Sequence, residues 1–208
     1  MILEYGANIA LGYLLGSLPW GLIVGYLWLG RDIRESGSGK TGTTNVLRTA
    51  GKIPAVLVMA LDIAKGAVPA LTGRLLFDSN EVAAAGAAAA VAGHIWPVFA
   101  GFRGGRGVAS TYGGVLGLAP LISLAFPLIG AVLVVATRYV SVMSVVGVPV
   151  CAAIIVGAAV AGRADWSFAW YSLFATVLVE YKHIPNIRRL LAGTEPRIGQ
   201  GGDRPATG

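Results

Sequence analysis

Residues 5–30, YGANIALGYLLGSLPWGLIVGYLWLG, contain no charged side chain. A helix rises about 1.5 Å per residue, so roughly 20 apolar residues cross the hydrocarbon of a bilayer. This stretch is long enough to do so. No basic segment precedes it, so it is read as a span and not as a cleaved leader. Further apolar segments run at about 53–76, 82–99, 107–120, 121–137, 140–161 and 166–181. Only 12% of the chain is charged and the mean hydropathy is +0.71, whereas soluble domains are about 25% charged. Backbone amides in lipid must be satisfied within the segment. The expectation is an all-α integral membrane protein with seven transmembrane helices. Runs such as AAAGAAAAVAG (83–93) suit helices that pack by close backbone approach.

Charge orients this bundle. With the N-terminus outside, 13 of the 16 basic residues fall in inside-facing segments, as the preference of cytoplasmic loops for Lys and Arg requires. Keeping Arg103 and Arg106 on the same side as Arg138 takes an even number of crossings between them, so 107–137 is expected as two short helices broken near Pro120. The C-terminus is then cytoplasmic. Residues 1–193 form one membrane domain, and the Gly- and Pro-rich tail 194–208 is expected to be disordered. Cys151 is the only cysteine, which leaves no disulfide or structural zinc.

The loop ESGSGKTGTTN (35–45) resembles half of a phosphate-binding P-loop, but Arg34 stands where the first glycine belongs. It also follows a membrane helix and not a strand, so the nucleotide reading fails. Glycines and hydroxyls beside Lys40 and Arg48 can still present donors to a phosphate. Two further polar segments face the same side: GHIWPVFAGFRGGRGVAS (93–110), where glycines bracket Arg106, and YKHIPNIRRLLAGTEP (181–196), where His183 and Asn186 share a helix face. Arg31, Arg34, Lys52, Arg188 and Arg189 are read as topology determinants. His94 is read as orienting the second loop, and Asp62 with Lys65 at i, i+3 as a buried ion pair bracing the site. No His, Asp or Glu cluster has metal-ligand spacing, and no cofactor is expected. A transporter of phosphorylated solutes is the competing reading, weakened because every polar motif lies at one face and no internal repeat is evident.

Those segments, with GSLPWG (16–21), LDIAKG (61–66) and RYVSVMS (138–144) in the same order, resemble the bacterial acyl-phosphate:glycerol-3-phosphate acyltransferases, the PlsY family. The resemblance implies seven transmembrane helices and a cytoplasmic site. It also implies transfer of an acyl group from a long-chain acyl phosphate to the 1-hydroxyl of glycerol-3-phosphate, giving lysophosphatidic acid. Matched motif by motif, it places Ser38, Arg48, Arg106, Ser141, His183 and Asn186 around glycerol-3-phosphate. It assigns Gly42, Thr43, Thr44, Asn45, Gly104 and Gly105 to the acyl-phosphate headgroup. His183 has a pKa suited to taking the hydroxyl proton; the resemblance implies instead that a substrate phosphate oxygen takes it, with His183 orienting. The chain departs from the family pattern at Lys40, Thr41, Arg103 and Arg106. It is expected to work as a monomer in the cell membrane, with membrane lipids but no nucleic acid as partners.

Overall fold

The computed structural model describes residues 1–198, which form helices joined by irregular connections. In chain order the helices are α1 (Ile2–Gly16), α2 (Trp20–Leu29), α3 (Thr43–Thr49), α4 (Lys52–Leu75), α5 (Asn80–Ile95), α6 (Val108–Leu118), α7 (Pro120–Ser123), α8 (Ala125–Thr137), α9 (Val140–Val160) and α10 (Trp166–Leu191). Five stretches are long and apolar enough to cross a membrane: Ile2–Leu29, Lys52–Leu75, Asn80–Ala100, Pro120–Thr137 and Val140–Val160. With 11 residues α6 is shorter, and α10 is longer but more polar.

Prolines set two of the breaks. The uncharged stretch 5–30 is not one helix: it ends at Gly16 and restarts at Trp20, because Pro19 has no N–H to donate and keeps Leu18 out of helical geometry. In the same way the run 107–137 divides before Pro120 into α6 and the pair α7–α8.

Helices α1 and α5 pack face to face, as do α4 and α6. A Cβ on Gly12 would collide with Gly86 O, and one on Gly66 with Ser110 O. Such backbone approach drives association in lipid, where helices gain little from hydrophobicity against one another. Asn8, fully buried in α1, donates to Pro69 O (3.1 Å) and Val82 O (2.8 Å), tying α1 to α4 and α5. The larger core includes Ala87, Val91, Ile95, Val115, Ile155 and Tyr171. A second, smaller core of Leu22, Val24, Ile33, Val46, Val58 and Ala100 joins α2, α3 and the start of α4 to the loop after α5.

The ends of α1 and α5 fix the level of the site. Lys65 Nζ pairs with Asp62 Oδ1 at 2.9 Å and donates to Leu18 O at 2.9 Å, in the break after α1. His94 Nδ1, at the end of α5, lies 3.5 Å from the same Asp62 oxygen. These charges are central in the sequence of α4 but stand where its neighbours end, and the first turns of α4 continue past them beside α2 and α3. The tail expected to begin at 194 is tied down over its first residues. Gly193 turns at φ +69°, and Ile198 N donates to Arg138 O at 2.8 Å. The remainder, 199–208, lies outside the described residues.

Candidate active site

The first loop is organised by Asn45. Its Oδ1 accepts from Ser38 N at 2.7 Å, and its Nδ2 faces Ile33 O (3.0 Å), Ser36 O (3.2 Å) and Lys40 O (2.9 Å). Gly37 passes directly over this amide at φ +61°, where an added Cβ would strike Asn45 Oδ1. Both amide hydrogens are therefore committed to the loop's own carbonyls. Asn45, expected at the acyl-phosphate headgroup, shapes the loop in this structure. Gly42, Thr43 and Thr44 are half-buried at the start of α3, and Thr43 Oγ1 has no hydrogen-bond partner. Arg34 also differs from its reading as a topology determinant. It grips Asp32 through Nη2 at 2.7 Å and donates from Nη1 to Ala100 O at 3.2 Å, linking the first loop to the second.

The second loop folds back on the helix that precedes it. Gly105 N donates to His94 O at 3.2 Å, and Tyr13 Oη donates to Trp96 O at 2.9 Å. An added Cβ on Gly104 would strike His94 O and one on Gly105 would strike His94 Nε2, so only glycine lets the loop lie this close. His94 thus holds the second loop, as the sequence suggests. Arg106 projects from this loop. Burial pulls its guanidinium below the usual range, and Arg189 and Arg48 pull it further while Glu195 opposes them. Neither Arg106 nor Arg48 makes a hydrogen bond or ion pair among the described residues.

The third group hangs from α10 and the first turn of α9. His183 and Asn186 are buried, at 1% and 2% exposure. His183 Nδ1 lies 2.8 Å from Val179 O, so the ring donates there and its Nε2 is left as an acceptor. Burial is the main reason its pKa falls to about 4; Arg106 lowers it too, against the Val179 bond and Glu195. At neutral pH the ring is uncharged and weakly basic. Asn186 Nδ2 donates to Glu195 Oε1 at 2.7 Å, and Arg189 Nε donates to Glu195 Oε2 at 2.7 Å. Asn186 Oδ1 is buried without a partner among the described residues, and the Ser141 hydroxyl lies within reach of the Glu195 carboxylate, whose charged form it favours. Buried polar atoms are nearly always paired in native proteins. Here an unpaired amide oxygen stands near two arginines that have no partner among the described residues, an arrangement that suits an anion.

The whole chain bears comparison with known proteins. Residues 7–193 match the family model described as glycerol-3-phosphate acyltransferase. The glycerol-3-phosphate acyltransferase of Synechococcus sp. (strain CC9902) is 42% identical over 97% of this chain and 99% of that protein. A second relative, from Moorella thermoacetica, is 40% identical over 92% and 96%. The crystal structure of PlsY, an integral membrane glycerol 3-phosphate acyltransferase, in its glycerol 3-phosphate form superposes with a TM-score of 0.85 at 37% identity, covering 93% of this chain and 94% of that one.

The chain belongs to the glycerol-3-phosphate acyltransferase (PlsY) family.

The lysophosphatidic acid form of PlsY superposes almost as well, with a TM-score of 0.83 at 35% identity. Like those PlsY structures, the present chain is a multi-pass membrane protein. The PlsY resemblance leads directly to His183 and Asn186 but not to Glu195, which the sequence reading leaves in an irregular tail. The available signal was a lone carboxylate two residues after a glycine and four past the last helix's end, in a strongly basic stretch. Arg189 was likewise read as a topology determinant, yet it holds that carboxylate in place.

Proposed function

We propose that this chain transfers a fatty acyl group from acyl phosphate to the 1-hydroxyl of glycerol-3-phosphate, releasing phosphate and lysophosphatidic acid. One observation carries the reading. Arg48, in the last turn of α3, and Arg106, in the second loop, lie near one another without partners among the described residues, and the Glu195 carboxylate beside Arg106 holds Asn186, whose Oδ1 is unpaired. Two phosphorylated substrates brought together repel, and fixed cations with preorganised donors in a dry site are the physical remedy.

In this reading Arg48 and Arg106 hold the glycerol-3-phosphate phosphate with Ser38, Ser141 and Asn186. The start of α3 at Gly42, Thr43 and Thr44 and the Gly104–Gly105 turn receive the acyl-phosphate headgroup. The carbonyl carbon is already activated by its phosphate leaving group. The hydroxyl oxygen bonds to that carbon, the carbon–oxygen bond to phosphate breaks, and the phosphate carries the hydroxyl proton away. Placement of the reactants supplies the rate. His183, neutral and with Nε2 open, accepts a hydrogen bond from the substrate and aims it; a pKa of about 4 makes it a poor proton acceptor at pH 7. The acyl chain would follow the apolar seam between α6, α8, α9 and α10, past Val108, Tyr112, Phe126, Cys151 and Ile155, where a cavity of about 20 Å³ must widen to admit it. Seven crossings with the N-terminus outside put all three loops on the cytoplasmic side, following the distribution of Lys and Arg.

The test is phosphate release by purified protein given palmitoyl phosphate and glycerol-3-phosphate without added metal. Release that requires both substrates, with lysophosphatidic acid recovered, is the expected result. Saturable glycerol-3-phosphate binding with no turnover refutes acyl transfer and returns the transporter reading.

A further inference from the structure

The cluster of Asp62, Lys65 and His94 meets the groups assigned above to the substrates only where His94 backs the Gly104–Gly105 turn, yet it is the most deeply buried set of ionisable side chains in the described residues, with exposures of 2%, 4% and 5%. Taking such groups out of water is costly, and apolar side chains of similar size often replace a buried pair without loss of stability. Packing alone therefore gives no reason for charge here. The geometry of the contacts does.

Asp62 Oδ1 receives Lys65 Nζ at 2.9 Å and faces His94 Nδ1 at 3.5 Å. Lys65 also reaches Leu18 O, in the break between α1 and α2. The other side of the His94 ring lies against Gly105, whose N–H the His94 carbonyl accepts at 3.2 Å. Arg106 is the next residue. One connected set of contacts thus runs from the α1–α2 break through α4 and α5 to the residue before Arg106. We propose that Asp62, Lys65 and His94 are positioning residues for acyl transfer: Asp62 and Lys65 lock the His94 imidazole as a seat for Gly105, and that seat sets where Arg106 presents its guanidinium.

The proposal rests on the acyl-transfer reading, and wild-type turnover in the same assay tests that reading separately. The variants are Asp62→Leu/Lys65→Met, which removes the charges as a pair, and the cycle Gly105→Ala, His94→Ala and their combination. The first variant is expected to keep its thermal midpoint while kcat falls about 10²-fold, since a displacement of about 1 Å costs that much. Each KM should change far less, because both substrates still find donors in a shifted loop. In the cycle, the combined variant is expected to lose no more kcat than the worse single variant, because both changes break one contact. Wild-type kinetics in a stable Asp62→Leu/Lys65→Met protein overturns the proposal. If that protein does not fold, the cycle decides alone: losses that multiply, or His94→Ala with unchanged kcat, overturn it.

Discussion

Two sets of charges sit a few residues apart in this molecule and are treated in opposite ways. Asp62, Lys65 and His94 face one another and the backbone, and leave no charge open. Arg48, in the last turn of α3, and Arg106, in the second loop, lie near each other and Arg189, with the Glu195 carboxylate among the described residues to offset them. A fold that can neutralise one group so completely has the means to neutralise the other. Leaving two half-buried arginines unpaired costs stability, and it makes sense where an anion completes the site.

The contrast can be broken most severely at Arg106. Arg106→Ala removes an open cation and is expected to lower kcat/KM for glycerol-3-phosphate by about 10²- to 10³-fold, the scale for losing one preorganised donor in an active site. Because the arginine has no protein partner, the thermal midpoint should hold or rise. A large fall in that midpoint would mean that Arg106 is structural.

Asn45→Ala attacks the other kind of residue, one whose polar atoms are all used internally. It leaves Ser38 N and several loop carbonyls without their partner, and each buried group left unpaired costs about 1–3 kcal/mol. The expected outcome is a fall of about 10²-fold in turnover accompanied by a lower unfolding temperature. Loss of activity at full stability would instead restore Asn45 to direct substrate contact.

A smaller effect is expected at the boundary between the two sets. Glu195→Gln keeps an acceptor for Asn186 but discharges the group that Arg189 holds. We expect kcat to fall about tenfold, as one charge-assisted bond becomes an ordinary one. Unchanged kinetics would show that the carboxylate's charge does not position Asn186.

The smallest effect is seen only on acidification. His183 has a folded pKa of about 4 against a usual 6.5, so as the pH falls the unfolded chain takes up the proton first. Its contribution to stability is whole above about pH 6.5 and is lost between there and about pH 4, by roughly 3 kcal/mol. Thermal unfolding of wild type should therefore become more acid-sensitive below pH 6.5 than that of His183→Gln. An activity profile with an acid limb at 6.5 that vanishes in His183→Gln would make the histidine a base after all.

Much of the architecture is legible in the chain. Long uncharged runs demand helices in lipid, because no other local structure satisfies their amides there. Pro120 marks a real helix break, and the spacing of Asp62 and Lys65 states their pairing outright. Pro19 carries the same signal but sits in so apolar a run that hydropathy conceals the break. What composition and spacing determine are the local matters: which segments are helical, which are apolar enough for a membrane, and where the polar stretches fall between them.

Tertiary structure alone decides how each polar residue spends its hydrogen-bonding capacity. Asn45 is consumed by carbonyls of its own loop, Arg34 by a carbonyl 66 residues away, and Glu195 returns from the tail to meet Asn186 and Arg189. Arg48 and Arg106 are left over. The residue type is the same in Arg34 and Arg106, so without the family resemblance neither composition nor spacing distinguishes the strut from the open cation. That difference comes from which acceptors the folded backbone brings within about 3 Å, a distance over which hydrogen bonds either form or do not.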